Sequence, residues 1–193
     1  MIKLTRPECP HPIALANGNY KHPLNKEALK QASFDKCMYC ESKISQIDFA
    51  HIEHFKPKAH DKYPELEFIW ENLGYACPKC NNAKSDKFHS DTPYIDPYSE
   101  DPSNYFYATG AWLFIKNGSE RSEISIADIE LNRPELLEKR LEKITELQKA
   151  INVCYRTNNR ALKEAALAEL ALESSPNKEY SFFVSALFKA HAA

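Results

Sequence analysis

The chain has no surplus of positive charge: 25 Lys and Arg stand against 27 Asp and Glu, a formal net charge of −2 over 193 residues. A free-standing, non-specific DNA binder draws most of its affinity from phosphate neutralisation and so carries a basic excess. Nucleic-acid contact is therefore expected to be local, or shared with a partner. No run of 18 apolar residues occurs, so no membrane-spanning helix and no membrane partner are expected. The opening Met-Ile-Lys-Leu-Thr-Arg lacks the apolar stretch of a secretory leader. The expected compartment is a reducing cytoplasm, where thiolates stay available for metal. Repeats and low-complexity tracts are missing too, and 43% hydrophobic residues allow a sizeable core.

The informative residues lie between Cys37 and Lys87. Four of the six cysteines form two CxxC pairs, Cys37-Met-Tyr-Cys40 and Cys77-Pro-Lys-Cys80, while Cys9 and Cys154 are isolated. That is metal-ligand spacing rather than a disulfide framework. Two such knuckles close a tetrahedral four-thiolate zinc site, and four protein ligands leave no open position for water, so the zinc is expected to be structural. The 36 residues between Cys40 and Cys77 exceed an ordinary zinc-ribbon spacing, so something folded must occupy them. That interval contains Glu53-His54. Cleaving a phosphodiester needs a base to activate water and a divalent cation at the scissile phosphate. Neutral His54 can take a proton near pH 7. Glu53 and the Asn81 carbonyl are hard oxygen ligands suited to Mg²⁺ or Mn²⁺.

Other polar residues carry weaker signals. Residues 53–87 hold six Lys and six Asp or Glu, the pattern of a mixed solvated surface. Lys58 and Lys84 are the expected phosphate contacts, because they flank the metal ligands in sequence. His51 shares a strand face with Glu53 and could be a further ligand, though a supporting hydrogen bond is the favoured expectation. Cys9 and His11 read as a free thiol and a surface imidazole.

Glu53-His54, Asn72 and Cys80-Asn81-x-x-Lys84 resemble the His-Asn-His (HNH, ββα-metal) endonucleases, in the variant with Asn at the last position. The resemblance implies that His54 is the general base and that Glu53 stands where the family usually has Asp. It makes Asn72 the residue that orients the His-bearing loop and Asn81 the second ligand of the catalytic Mg²⁺ or Mn²⁺. Cys37, Cys40, Cys77 and Cys80 match the structural zinc of the four-cysteine members. Two features depart from the pattern: Glu is one methylene longer than Asp, and Asn82 adjoins Asn81. A longer resemblance runs through Ile52-Glu-His-Phe-Lys-Pro-Lys58, Cys77-Pro-x-Cys-Asn-x-x-Lys84, Asp96-Pro97 and Ile129-Glu-Leu-Asn-Arg-Pro134. It is to the PtuB family, HNH subunits of Septu-type antiphage defence that also occur beside retrons. This resemblance implies a nucleic-acid substrate, an ATPase partner (PtuA) and a nuclease silent until infection. In retron systems a reverse transcriptase and its nucleic acid would join them. Two rivals remain: a four-cysteine zinc module that binds nucleic acid or protein without cutting, and a nuclease-fold adaptor with a dead site. The first explains the cysteines but gives no reason for Glu53-His54 and Asn81; cleavage abolished by changing His54 separates the nuclease from both.

The expected architecture is α+β: a ββα-metal core with zinc knuckles, a β-hairpin and a C-terminal helical region. Residues 1–36 read as an arm and a short helix, 37–90 as the nuclease core, 91–131 as a loop and hairpin, and 132–193 as helices. In more detail, 1–23 is Pro-rich and extended, and Asn25 caps a helix over 26–32. A strand covers 44–53, a loop 55–64, a buried turn 66–72 and a helix 81–88. Strands at 105–107 and 112–115 pack their aromatic face on the core, Asn117-Gly118 turns the hairpin and 124–126 returns. Pro134 opens a long helix whose apolar stripe is Leu137, Leu141, Ile144, Leu147, Ile151 and Tyr155. A second helix spans 160–173, and Ser175-Pro176 opens a third reaching 190. Phe182, Phe183, Leu187 and Phe188 there are expected either to pack internally or to dock the partner.

Overall fold

Proline in the first helical turn, with a polar group just ahead of it, starts several helices of this chain. The computed structural model describes residues 1–44 and 49–192. Helices α1 (Pro12–Ala16) and α2 (Pro23–Ala32) both open on Pro. The Nδ1 atoms of His11 and His22 accept from Ala14 N (3.1 Å) and Leu24 N (3.3 Å), capping the two helices. The expected extended arm thus contains a helical turn, and α2 begins before the expected residue 26. Asn25 is no cap: it is buried inside α2, where its Oδ1 accepts from His11 N (3.0 Å).

The centre of the fold is a two-stranded antiparallel sheet of β1 (His51–His54) and β2 (Leu73–Ala76), which sets Glu53 opposite Gly74 and His54 opposite Leu73. Of the strand expected over 44–53, residues 45–48 lie outside the described residues, and pairing begins at His51. Two 3₁₀ turns, Pro64–Leu66 and Trp70–Asn72, carry the chain from β1 to β2. Helix α3 (Pro78–Lys84) starts ahead of the expected residue 81, because Pro78 suits the first turn and Cys77 Sγ accepts from Cys80 N (3.5 Å). It stops short of 88, at Ser85, whose φ of +49° leaves the helical region. Gly74 has a packing reason: a Cβ there would overlap Met38 Sδ in the first knuckle.

The hairpin pairs β3 (Phe106–Thr109) with β4 (Trp112–Ile115). Its turn falls at residues 110–111, with Gly110 at φ +55°, and not at Asn117-Gly118. Asn117 and Gly118 do take positive φ, but they lead into helix α4 (Glu120–Asp128), where a returning strand was expected. Ser119 Oγ accepts from Ser122 N (3.3 Å), and Glu120 and Glu123 suit the positive end of the helix. Only one hairpin face packs inward, through Phe106 and Leu113. Tyr107, Trp112 and Phe114 are exposed, and the Tyr107 and Phe114 rings stack 5.3 Å apart.

Asn132 holds β4 to the next helix, accepting from Leu113 N (3.0 Å) and donating to Leu113 O (2.8 Å). Helix α5 (Pro134–Arg156) then buries Leu136, Arg140, Ile144, Leu147 and Ile151. The expected stripe is therefore rotated at its ends: Leu141 and Tyr155 are 56% and 51% exposed. The chain interior accepts Arg140 because its guanidinium lies 3.9 Å over the Phe183 ring and its Nη1 donates to Leu131 O (2.8 Å). Helix α6 (Arg160–Ala171) packs on α5. Helix α7 (Ser181–Ala192) begins later than Ser175-Pro176 signalled; those residues form turns instead.

The start of α7 is docked on the first knuckle. Glu41 Oε2 accepts from Ser181 Oγ (2.7 Å) and Phe182 N (3.3 Å), a cap supplied from across the molecule. Burial pushes the Glu41 carboxyl up, but the Met1 ammonium (2.7 Å) and Lys36 (3.3 Å) outweigh it and hold its pKa at about 2. Phe183 and Val184 are buried, and Phe182, Leu187 and Phe188 are partly so. Phe183 belongs to the core, and Phe182 and Leu187 pack against it.

Candidate active site

The four knuckle sulfurs lie within 4.8 Å of one another, and Cys40 Sγ and Cys77 Sγ are 3.9 Å apart. A tetrahedral site with Zn–S bonds of ~2.3 Å separates its sulfurs by about 3.8 Å. The donor set therefore fits a structural Zn²⁺. Four thiolates around Zn²⁺ carry a net negative charge, and Arg133 Nη1 stands 3.4 Å from Cys80 Sγ to offset it. The knuckles fix β2 and α3 beneath β1, and so place the end of β1.

His54 ends that strand. Its Nε2 is 2.9 Å from Glu67 O. A carbonyl can only accept, so Nε2 carries the proton and Nδ1 keeps a free lone pair. Burial lowers the imidazole's pKa below its ordinary value, so the neutral base is favoured. Tyr20 closes one side, its ring edge-on to the imidazole at 4.7 Å. Asn72 clamps the loop after His54: its Oδ1 accepts from Lys56 N (2.8 Å), and its Nδ2 donates to Lys56 O (3.0 Å) and Leu66 O (3.1 Å).

Glu53 is buried beside it. Its Oε1 pairs with Lys84 Nζ (2.8 Å) and accepts from Tyr39 OH (3.2 Å). Burial raises the carboxyl's pKa, with Lys84 and Tyr39 opposing. Lys84 itself is only 1% exposed, and its Nζ also donates to His54 O (2.9 Å). It lies under the strand, away from any open phosphate position. The three-residue step from Asn81 to Lys84 puts both on one face of α3, toward β1. Lys58 is at the rim, donating to Glu67 Oε1 (2.8 Å) and Tyr20 OH (2.9 Å).

One open cleft of 860 Å³ collects Glu53, His54, Lys58, Asn81 and Asn82, with His51 at its exposed edge. Among the described residues His51 makes no hydrogen bond to Glu53, so it does not provide the support expected of it. Glu53 and Asn81 offer the oxygen donors a hard divalent cation takes. Tyr20, Lys21 and Lys26 also line the cleft. Sequence reasoning did not find them, since no local spacing ties residues before the first knuckle to His54.

Two antiparallel strands and a helix built on a four-cysteine centre, with Glu-His at the strand end, define an HNH endonuclease domain, and residues 37–87 match the HNH endonuclease family. Beyond that domain the likeness continues. The chain belongs to the PtuB family of Septu proteins: it is 30% identical to Septu protein PtuB of Bacillus thuringiensis, over 97% of this chain and 81% of that protein. Septu protein PtuB of Bacillus mycoides (strain KBAB4) is 32% identical over 63% of this chain and 51% of its own length. A Vibrio cholerae protein (serotype O1 biovar El Tor), described as an HNH endonuclease of retron Vc95, is 28% identical over 69% of this chain and 68% of its own. Among the described residues no helix is long and apolar enough to cross a membrane.

Proposed function

We propose that this chain is a metal-dependent endonuclease that hydrolyses phosphodiester bonds of nucleic acid in antiphage defence, working with an ATPase partner. The observation that carries the reading is His54, held through Nε2 on Glu67 O, in one cleft with the oxygen donors Glu53 and Asn81. His54 Nδ1 takes a proton from the attacking water, while Glu67 O keeps the ring oriented through Nε2. Asn72 holds the loop so that the imidazole does not swing. A Mg²⁺ or Mn²⁺ held by Glu53 and Asn81 would supply charge stabilisation at the scissile phosphate and leaving oxygen. Lys84 opposes the burial that raises the Glu53 pKa, and so favours its carboxylate form, and Lys58 can exchange Glu67 for a substrate phosphate. The Septu and retron relatives support the defence setting and a multi-subunit assembly.

The test is cleavage of mixed DNA and RNA by the purified assembly. His54→Ala is expected to lower the rate by ~10²–10⁴-fold while zinc content and fold persist. Asn81→Ala should also lose activity, with partial recovery at higher Mg²⁺ or Mn²⁺. Equal cutting by His54→Ala and the wild type contradicts the assignment.

A further inference from the structure

The segment ahead of the first knuckle lies outside the HNH match, yet it builds one wall of the cleft. Between α1 and α2 the chain is pinned by Asn19 N to Ala14 O (2.8 Å) and by Gly18 N to Leu15 O (2.9 Å). Gly18 adopts φ +75°, and a Cβ there would sit 3.7 Å from the Phe68 ring. The imidazoles of His11 and His22 stack 4.1 Å apart at the base of this loop. The loop is therefore held in place against the core.

The loop presents Tyr20 and Lys21 to the cleft, and the start of α2 presents Lys26. Tyr20 touches both reacting-side residues, with its ring against His54 and its hydroxyl accepting from Lys58 Nζ. Lys21 Nζ lies 5.5 Å from the Tyr20 ring, and Lys26 Nζ donates to Ala50 O (2.9 Å). Among the described residues neither ammonium has a carboxylate partner. Other lysines of the site are occupied, Lys58 by Glu67 and Lys84 by Glu53. Two cations without an ion pair among the described residues, beside an aromatic ring, are the elements of a strand-binding groove: charge for the backbone and a face for a base or sugar. The net charge of −2 explains why the grip has to be local.

We propose that Tyr20, Lys21 and Lys26 form a phosphate-binding wall that grips the nucleic-acid backbone on the His54 side of the cleft. The assignment rests on the nuclease reading for its substrate class, but it is tested by binding alone. The full-length, zinc-loaded chain carrying His54→Ala binds a fluorescein-labelled single strand and the matching duplex, followed by anisotropy over a range of salt concentrations. Each lost phosphate contact lowers the salt slope by ~0.7–0.9, so Lys21→Glu should weaken binding at least roughly fivefold at about 0.1 M salt. Lys26→Gln should lose a similar amount. Lys149→Glu, on an exposed part of α5, should bind as its parent does. The two probes tell whether the wall grips one strand or a duplex. Unchanged affinity and slope for Lys21→Glu and Lys26→Gln overturn the proposal, as does an equal loss for Lys149→Glu or a parent that binds neither probe. These outcomes are separable from the nuclease reading: undiminished cutting by His54→Ala would sink that reading and leave the binding differences standing, and an inert wall would leave His54-dependent cutting untouched.

Discussion

Lys84→Met tests whether the buried ion pair under β1 sustains the site. The substitution keeps most of the side chain's volume and removes the charge 2.8 Å from Glu53 Oε1. Both side chains are almost fully buried, so Glu53 would be left as an unpaired carboxylate in a poorly solvating interior. Removing one partner of a buried pair typically costs about 3–5 kcal/mol while the other stays ionised. Glu53 can reduce that cost by taking up a proton, since burial already raises its pKa and Lys84 is the main opposing influence. A carboxyl whose folded pKa lies above its unfolded one binds the proton more tightly when folded. Its stabilising share is complete at low pH and is lost as pH rises through the folded value. The deficit of Lys84→Met against wild type should therefore be smallest near the ordinary carboxyl pKa and grow toward neutral pH and above. Urea unfolding at several pH values measures it, and the double variant Glu53→Gln with Lys84→Met should recover much of the loss. A deficit independent of pH, or strict additivity in the double variant, refutes the reasoning. In cleavage assays the same variant should need more Mg²⁺ at neutral pH, because a protonated Glu53 is a poor ligand.

Cys77→Ser removes one of the four zinc donors, and structural Zn²⁺ binding contributes on the order of 10 kcal/mol to folding in small zinc peptides. The variant should lose zinc by elemental analysis and melt at much lower temperature; wild type that folds cooperatively without zinc would contradict this. Gly74→Ala should destabilise by about 1–3 kcal/mol in urea, because the new Cβ meets Met38 Sδ in a packed core. No change in midpoint would mean that Met38 moves freely. Because burial lowers the His54 pKa, cleavage should persist below the ordinary imidazole pKa before falling in acid. A limb at or above that ordinary value would count against His54 as the base.

The cysteine centre and the Glu-His strand end were legible because metal-ligand spacing and strand periodicity are local properties of the chain. The ββα core was expected through the family resemblance those residues carry, and β2 (Leu73–Ala76) was not read from the local pattern. Lys84 was harder: whether a lysine points into water or under a strand depends on a carboxylate 31 positions earlier, which no local pattern encodes. Asn117-Gly118 did mark a turn, but Ser119 and the acids after it made the next element a helix. In the first half of α5 the stripe was misread because Arg140, and not Leu141, fills the interior position; its placement needs Phe183 from a distant helix. The wall formed by residues 20–26 is likewise a tertiary feature. Nothing in its own composition separates Lys21 from any other surface lysine.

The remote cap of α7 bears on how the molecule is born. Glu41 follows directly on the first knuckle, but Ser181 and Phe182, which satisfy its carboxylate, come 140 and 141 residues later. At ~5–20 residues per second on the ribosome, that is a wait of roughly 7–30 s. Through that interval Glu41 has emerged without the start of α7 that docks on it, and Lys36 lacks its contacts to Lys178 O and Ser181. The surroundings of the first knuckle are completed only when residues 178–182 have been made. A nascent chain, or one released early, would therefore carry Glu41 with its carboxylate uncapped by α7 and Lys36 without two of its partners.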